Sequence, residues 1–351
     1  MPILCYGQMK APASAARMEP MMLHIVQFGA GRIGAIHAAN ISASGGARLR
    51  YVVDPDRPAA EALAARHGAD VATVEAALAD PDVGAVVIAS STDTHADLAI
   101  AAARAGKAIF CEKPIDLSIA RVDACLAEVA RAGVPMLVGF NRRFDPSFTA
   151  LHRRVREGAI GTVEQVIITS RDPAPPPLDY IRVSGGLFRD MTIHDFDMAR
   201  WLLGEEPVEV FAQGATLVDA AIGAAGDIDS AMVLLRTASG RMAHITNSRR
   251  ASYGYDQRVE VFGSLGRLIA GNRTPTTVEL ADASAVSTDR PLHFFQERYA
   301  EAYRIELEAF IAAVTQGAPM PVGAEDGRRA LVLADAAAES LRTGCAVRIA
   351  P

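Results

Sequence analysis

Residues 23–34 have the sequence Leu-His-Ile-Val-Gln-Phe-Gly-Ala-Gly-Arg-Ile-Gly. The apolar residues before the first glycine are rich in β-formers and predict a short strand buried in a parallel sheet. Gly29, Gly31 and Gly34 fit the pattern G-x-G-x-x-G, and a helix is expected to begin near Arg32. The first glycine permits a tight bend, the second leaves room for a phosphate group, and the third lets the helix pack closely. The free N–H groups at the start of the helix would face that phosphate.

An acidic residue ends the second predicted strand. Residues 49–53, Leu-Arg-Tyr-Val-Val, precede Asp54, which lies twenty residues after Gly34. A carboxylate at this position can accept hydrogen bonds from the ribose hydroxyls of an adenosine. The alternative is a solvated carboxylate in the turn formed by residues 54–56. Because the strand, the glycines, the helix and the acid occur together, the sequence favours a dinucleotide-binding site.

Strands and helices alternate between residues 23 and 140, which predicts a parallel, doubly wound sheet. Ligands bind at the carboxyl ends of the strands in such sheets, where Gly29, Asp54, Ser90 and Lys113 lie. Further strands are expected at residues 83–89, 107–111 and 136–140, and helices at residues 57–67, before Gly106, and at residues 118–132.

The pattern changes beyond Asn141. Short strands joined by turns predict an open, largely antiparallel sheet, and the proline-rich residues 173–177 predict a loop. We therefore predict an α/β chain in which a disordered segment or extension (1–22) precedes a Rossmann domain (23–141) and an α+β domain (142–351). In the last part, strands are expected at 163–170, 208–213, 228–236, 242–248, 259–262 and 268–269, and helices at 145–157, 187–203, 297–316 and 324–343.

The composition is typical of a globular protein, with 50% hydrophobic and 22% charged residues among 351. A net charge of −6 argues against nucleic acid or an anionic membrane surface as the main partner. No run of eighteen apolar residues predicts a transmembrane helix. The four cysteines are scattered, which favours free thiols in a reducing cytoplasm and gives no ligand-like spacing for a metal.

Two groups of residues could carry chemistry. Lys113 lies between Glu112 and Pro114 at the end of a strand; it is either a solvated cation or, beside a bound cofactor, a group that takes part in proton transfer. Asp190 and His194 lie four residues apart, so on a helix the carboxylate could orient the imidazole and stabilise its charged form. A surface ion pair and a metal site are the alternatives for this second group.

The polar turn after strand 83–89 allows a second interpretation. Thr92, Thr94 and His95 would face a cofactor, but Thr94 could equally be the N-cap of the following helix, with His95 in its first turn.

Together these motifs resemble the Gfo/Idh/MocA family of oxidoreductases over residues 23–350. The shared features are Gly-Ala-Gly-Arg-Ile-Gly, the segment Ala105-Gly-Lys-Ala-Ile-Phe-Cys-Glu-Lys-Pro114, and the helix carrying Asp190 and His194. Within the family the chain is most similar to bacterial inositol 2-dehydrogenases. The segments that carry this second similarity are residues 91–95, 139–145, 170–173, 185–197 and 253–258.

The resemblance implies NAD-dependent oxidation of myo-inositol to 2-keto-myo-inositol by a cytoplasmic homotetramer that associates through the open sheet. It assigns catalysis to Lys113, Asp190 and His194. It assigns the polyol substrate to these three residues together with Arg143, Asp197 and Tyr255. With the motifs described above, the residues predicted to bind the cofactor are Gly29, Gly31, Arg32, Ile33, Gly34, Asp54, Ser90, Thr92, His95, Glu112 and Lys113.

Two alternatives to myo-inositol oxidation stay open. Some inositol dehydrogenases carry a substrate-contacting histidine near position 170, where this chain has Ser170-Arg171-Asp172. Scyllo-inositol, or an aldose such as glucose, is therefore the rival substrate. A non-catalytic dinucleotide-binding regulator is the rival from another class, which the presence of Lys113, Asp190 and His194 disfavours.

Overall fold

The structure, a computed structural model, describes residues 22–349. The prediction made for residues 1–22 lies outside the described residues, apart from Met22.

Strands and helices alternate in the N-terminal half. The strands are β1 (Leu23–Phe28), β2 (Ala47–Val53), β3 (Asp70–Val71), β4 (Val83–Ile88), β5 (Ala108–Glu112) and β6 (Met136–Gly139). The helices are α1 (Arg32–Ala43), α2 (Arg57–His67), α3 (Val74–Ala79), α4 (His95–Arg104) and α5 (Ile119–Ala132).

These six strands form one parallel sheet in the order β3-β2-β1-β4-β5-β6. The predicted doubly wound sheet is confirmed. Its strands are apolar because they are buried, and all five residues of β5 lie in the core. The strand order reverses between β1 and β4, and the crevice at such a point is where ligands bind in this fold.

The C-terminal half contains a second sheet, several helices and a small hairpin. The strands are β7 (Val163–Arg171), β8 (Pro207–Ala215), β9 (Ser230–Thr237), β10 (Met242–Ser248), β11 (Asp256–Gly263), β12 (Gly266–Ala270), β13 (Glu279–Ala281), β14 (Val286–Thr288) and β15 (Val347–Arg348). The helices are α6 (Pro146–Arg156), α7 (Leu178–Val183), α8 (Ile193–Leu203), α9 (Ala220–Ala224), α10 (Phe295–Arg298), α11 (Ala300–Gln316) and α12 (Ala324–Thr343).

Seven of these strands pair in the order β12-β11-β7-β10-β9-β8-β15, and β13 and β14 pair with each other. All neighbours in the larger sheet are antiparallel except β7 and β10, which run parallel. The predicted open, largely antiparallel sheet is therefore confirmed. The parallel pair matters for the site, because Asp172 and Arg249 leave these two strands at the same end.

One face of the larger sheet is covered and the other is open. Helices α8 and α12 pack on the covered face. Side chains of β9 alternate, so that Val233 is buried whereas Leu234 on the opposite face is 53% exposed. The register places further exposed apolar residues on the open face: Ile167, Met232, Met242, Phe262 and Ile269.

Two predicted helices differ from the structure. The helix expected over residues 187–203 is a π-helical turn, Phe188–Thr192, followed by α8. The helix expected over residues 297–316 is divided into α10 and α11. No helix within residues 22–349 has the length and apolar character needed to cross a membrane.

Candidate active site

Two of the three glycines in the turn after β1 pack closely against neighbouring backbone, and the third faces open space. Gly29 has φ +103°, and a Cβ there would lie 2.4 Å from the Ala89 carbonyl oxygen. A Cβ on Gly34 would lie 2.3 Å from the Gly29 oxygen. A Cβ on Gly31 would meet nothing within 4 Å, and α1 begins at the next residue, Arg32. The open space at Gly31 therefore fits a pyrophosphate beside the free N–H groups of the helix.

Two polar side chains hold this turn in place. Gln27 is fully buried, and its Nε2 donates to the carbonyl oxygens of Gly29 at 2.9 Å and Gly34 at 2.6 Å. Asp54 accepts hydrogen bonds from the backbone N–H groups of Ala30 at 2.7 Å and Asp56 at 2.8 Å. Asp54 thus lies beside the glycine turn, where its predicted contact with ribose stays a prediction. Sequence reasoning missed Gln27, although a polar residue inside an apolar strand was visible.

The turn after β4 is tied to the end of β5 through His95. Its buried ring lies with Nδ1 2.8 Å from the Pro114 oxygen and Nε2 3.2 Å from the Ser90 oxygen. Thr94 occupies the N-cap position of α4, but its hydroxyl donates to the Ser91 oxygen rather than capping the helix. Thr92 is half-buried in a short 3₁₀ turn. These contacts give His95 a structural role, and its contact with the cofactor stays a prediction.

Glu112 points toward α1. Its Oε1 lies 2.7 Å from Nε2 of the fully buried His37. The buried Glu306 on α11 is close enough to interact electrostatically with Glu112, and neither Glu306 oxygen has a partner among the described residues. The side chain of Glu112 is therefore engaged in the protein interior, and its assignment to the cofactor stays a prediction.

Lys113 links the two halves of the chain. Its Nζ donates to the main-chain oxygen of Asp190 at 2.7 Å and lies 3.7 Å from the Asp190 carboxylate. The lysine side chain is 16% exposed and the peptide bond to Pro114 is cis. Lys113 and Asp190, which were predicted to belong to one catalytic set, are thus brought together across a sequence separation of 77 residues.

Asp190 is held by residues that sequence reasoning missed. Its carboxylate accepts from Tyr180 at 2.8 Å and from Arg249 at 2.9 Å. Burial opposes ionisation, but the charges of Lys113 and Arg249 outweigh it, so the pKa of Asp190 lies below its ordinary value. The predicted bond from this carboxylate to His194 is wrong, because the π-helical turn replaces the regular helix that the four-residue spacing assumed.

His194 lies at the start of α8, edge-on to Phe140 at 6.0 Å between ring centroids. Its Nδ1 is buried and has no hydrogen-bond partner among residues 22–349. Burial and the nearby cations Lys113 and Arg142 hold the pKa of His194 well below its ordinary value. The lowered pKa favours the neutral imidazole, in which one ring nitrogen keeps a free lone pair.

Arg143 and Asp197, both predicted to bind the substrate, bind each other. Two guanidinium nitrogens of Arg143 donate to the two carboxylate oxygens of Asp197, at 2.8 Å and 2.5 Å. Arg143 also donates to Asp326 at 2.9 Å. The Asp197 side chain is 1% exposed. Through Asp197 on α8 and Asp326 on α12, Arg143 links these two helices, and a direct contact of Arg143 or Asp197 with substrate stays a prediction.

Tyr255 and Asp172 lie on the side of the site formed by the larger sheet. Tyr255 is buried against Tyr299 and Phe294, and burial raises the pKa of its phenol well above the ordinary value. Asp172 directly follows β7, and burial raises the pKa of its carboxyl to about 7 although Arg249 lowers it. Sequence analysis noted Asp172 only as a departure from the family pattern and missed it as a site residue.

A buried polar network lies behind His194. Arg142 donates to Asp195 at 2.5 Å and to Ser170 at 3.1 Å, and Asn247 donates to the other Asp195 oxygen at 2.8 Å. Asn247 also accepts from Thr192, the last residue of the π-helical turn, at 2.7 Å. The network fixes both the turn and the start of α8, which carry Asp190 and His194. Among residues 22–349 no group of three or more His, Cys, Asp or Glu side chains is arranged to hold a metal ion.

A Rossmann half with a phosphate cradle, joined by a partly buried lysine to an α+β half, defines a dinucleotide-dependent oxidoreductase. The chain belongs to the Gfo/Idh/MocA family. Residues 23–140 match the oxidoreductase family with an NAD-binding Rossmann fold, and residues 148–269 match the GFO/IDH/MocA C-terminal domain. The predicted family and its NAD cofactor are confirmed.

The chain is similar to other members of the family over nearly its whole length. It is 57% identical to inositol 2-dehydrogenase of Rhizobium meliloti (strain 1021), over 90% of this chain and 95% of that protein. It is 50% identical to myo-inositol 2-dehydrogenase of Thermotoga maritima, over 93% and 98%. The crystal structure of a myo-inositol dehydrogenase from Corynebacterium glutamicum superposes with a TM-score of 0.90, at 46% identity over 94% and 100% of the two chains.

Proposed function

We propose that this protein oxidises myo-inositol to 2-keto-myo-inositol with NAD as hydride acceptor. The observation that carries the proposal is the convergence of Lys113, Asp190 and His194, from both halves of the chain, at the end of β5. The similarity to inositol 2-dehydrogenases at 50% and 57% identity supports the choice of substrate.

The cofactor would lie across the carboxyl ends of β1, β2 and β4. Gly31 and the start of α1 would bind the pyrophosphate, and Asp54 the adenosine ribose. NAD supplies a nicotinamide that accepts a hydride from the carbon of a secondary alcohol. We retain the other predicted cofactor contacts as proposals: Gly29, Arg32, Ile33, Gly34, Ser90, Thr92, His95, Glu112 and Lys113.

The protein must remove the hydroxyl proton as the hydride leaves. His194 is neutral and would take that proton on Nε2, since Nδ1 is buried. The Lys113 ammonium would donate a hydrogen bond to the substrate oxygen and stabilise its developing negative charge. The main-chain oxygen and the carboxylate of Asp190 hold the Lys113 ammonium in place, so Asp190 acts through Lys113.

The site suits a polyol because its lining is polar. Asp172 and Tyr255 place a carboxyl and a phenol on the side of the site formed by the larger sheet. We propose that they contact the ring hydroxyls, with Arg143 and Asp197 as further candidates. An analogue without hydroxyls would leave such buried groups unpaired.

A substrate panel tests the function. NAD reduction is measured with myo-inositol, scyllo-inositol, glucose and cyclohexanol, and the highest kcat/KM is expected with myo-inositol. A higher value with scyllo-inositol or glucose would change the substrate but keep the reaction. Equal rates with cyclohexanol and myo-inositol would contradict polyol recognition, and NAD binding without turnover of any polyol would support a non-catalytic regulator.

We propose further that the protein is a cytoplasmic homotetramer that serves inositol catabolism. The exposed apolar residues on the open face of the larger sheet support association, because large apolar side chains gathered on one exposed face often mark an interface. Cys111, Cys125 and Cys345 are free thiols, which suits a reducing compartment. We place the division between the NAD-binding and substrate-binding domains at residues 141 and 142.

A further inference from the structure

Arg249 is a buried cation between two carboxylates of the candidate site. Its side chain is 2% exposed. Nη2 lies 2.9 Å from Oδ2 of Asp190, and Nη1 lies 3.6 Å from Oδ2 of Asp172. A guanidinium suits this position because its planar group can donate hydrogen bonds toward two acceptors at once, whereas an ammonium does this less well.

The fold fixes Arg249 in this position independently of the carboxylates. β7 and β10 are the parallel neighbours of the larger sheet, with Arg171 in register with Ser248. Asp172 and Arg249 are the next residues of the two strands, and the Asp172 N–H donates to the Ser248 oxygen at 2.9 Å. The Arg249 N–H donates to the Asp229 oxygen at 2.8 Å. Two strand ends therefore set the guanidinium against the π-helical turn that carries Asp190.

We propose that Arg249 is a positioning residue for the hydride-transfer reaction. It holds the Asp190 carboxylate, and thereby the turn whose carbonyl oxygen binds Lys113, while it separates the charges of Asp190 and Asp172. The proposal rests on the proposed function only in placing Lys113 beside the reacting oxygen. Arg249 itself does not touch the substrate or the cofactor; it acts through Asp190 and Lys113.

The surrounding charges determine how the loss of Arg249 changes the pKa values of Asp190 and Asp172. Without its charge, two buried carboxylates lie near each other, and each raises the pKa of the other. Lys113 then remains the cation in contact with Asp190. The charged or titratable groups that face this cluster from the packed elements are Lys113, Arg142, Asp172, Tyr180, Asp190, His194, Asp195 and Asp227.

The test compares Arg249→Gln, Arg249→Lys and the neighbouring control Arg250→Gln. Arg250 is exposed and donates to the Leu217 carbonyl oxygen, so its variant loses the same charge outside the site. The polyol that the wild-type enzyme oxidises fastest is used, and kcat and kcat/KM are measured across a range of pH. NADH binding of each variant reports whether the cofactor half is intact.

Arg249→Gln is expected to lower kcat roughly tenfold to a hundredfold, because the reacting groups lose their alignment. The acid limb of kcat/KM should move up by about one pH unit, because an opposite charge has been removed from two carboxyls. Arg249→Lys keeps the charge, so the acid limb of its kcat/KM profile should stay near that of the wild type. Its kcat should fall, but less than that of Arg249→Gln. Arg250→Gln should match the wild type in both respects.

An even loss of rate at every pH in Arg249→Gln would overturn the proposal, as would wild-type kcat in Arg249→Lys. If Arg249→Gln does not fold, the result with Arg249→Lys decides. The melting temperature gives a readout that does not depend on activity. In folded Arg249→Gln the carboxyl pKa values are raised, so its melting temperature should fall further below that of the wild type at neutral pH than at acidic pH. An equal fall in melting temperature at both pH values would contradict the electrostatic role. If the preferred substrate is a polyol other than myo-inositol, the proposed function is wrong about the substrate, but the test of Arg249 is unaffected.

Discussion

Lys113 donates a hydrogen bond of 2.7 Å to the main-chain oxygen of Asp190. The lysine directly follows β5 of the Rossmann sheet, and the aspartate lies in the π-helical turn of the other half. A π-helical segment breaks the regular pattern of main-chain bonds, and such segments occur frequently at functional sites. Here the turn presents one carbonyl oxygen to the ammonium, so the two halves of the chain share one site.

Removal of either proposed catalytic group should strongly reduce turnover without abolishing cofactor binding. Lys113→Ala and His194→Ala are each expected to lower kcat by roughly a hundredfold or more, the scale of general acid–base catalysis. NAD affinity should change much less, because Gly31 and Asp54 lie elsewhere. Steady-state kinetics beside NADH titration checks this, with His67→Ala on the surface helix α2 as control. Wild-type turnover in His194→Ala would leave Lys113 as the better candidate for the proton acceptor.

The charge of Asp190 should also be needed for turnover. Asp190→Asn keeps the size of the side chain and its contact with Tyr180, but removes the negative charge beside Lys113 and Arg249. We expect a folded protein with kcat reduced roughly tenfold or more. Kinetics and a melting curve of the variant together check this. An unchanged kcat would show that the main-chain oxygen alone positions Lys113.

Asp54 should select NAD over NADP. Its carboxylate would repel a 2′-phosphate, and the nearby Arg57 is engaged with Glu61 at 2.8 Å on the exposed surface of α2. Asp54→Ala is expected to reduce the NAD/NADP ratio of kcat/KM by roughly tenfold or more, because a like-charge clash has been removed. Asp56→Asn, which can still cap α2, is the control. An unchanged ratio in Asp54→Ala would assign the selectivity to another residue.

The features that the sequence predicted correctly have local causes. The glycine turn follows from backbone conformation, and the parallel sheet follows from apolar runs that alternate with helices. The elements that escaped prediction are short ones, in which few residues carry a pattern. They are β3, β13, β14, β15, α3, α7 and α9.

The site was predictable only in part. Asp190 and His194 were found because they are neighbours in sequence, but their bond was predicted from regular helical spacing, which the π-helical turn does not have. Arg249 contacts Asp190 across 59 residues, and its place depends on the parallel pairing of β7 and β10. Sequence periodicity does not give the order of strands in a sheet. Arg143 and Asp197 show the same limit, because the sequence could not reveal that they pair with each other.

The proposed homotetramer should associate through the open face of the larger sheet. Leu234 is 53% exposed near the middle of this face, so Leu234→Lys would place a charge in an apolar interface. We expect a smaller particle by light scattering after size exclusion. Val278→Lys, at the exposed residue directly before β13, should keep the wild-type mass. An unchanged mass for Leu234→Lys would rule out this face as the interface.

Glu306 should make the stability of the protein depend on pH in an unusual direction. Its side chain is fully buried on α11, and neither carboxyl oxygen has a hydrogen-bond partner among residues 22–349. Burial, with the charges of Glu112 and Asp197, raises the pKa of Glu306 well above its ordinary value of 4.5. The carboxyl is therefore neutral in the folded protein under conditions in which the unfolded chain ionises it.

The sign of the effect follows from proton binding. Below pH 4.5 both states bind the proton, and the contribution of Glu306 to stability is fully present. Above that value only the folded state holds it, so the free energy of unfolding falls by about 1.4 kcal/mol per pH unit until the folded pKa is reached. Glu306→Gln cannot ionise and removes this slope. The stability of the variant relative to the wild type should therefore increase from pH 5 to pH 8, as measured by urea unfolding at both. Glu301→Gln, exposed on the same helix, should show no such increase, and a constant difference for Glu306→Gln would mean that Glu306 is ionised in the folded protein.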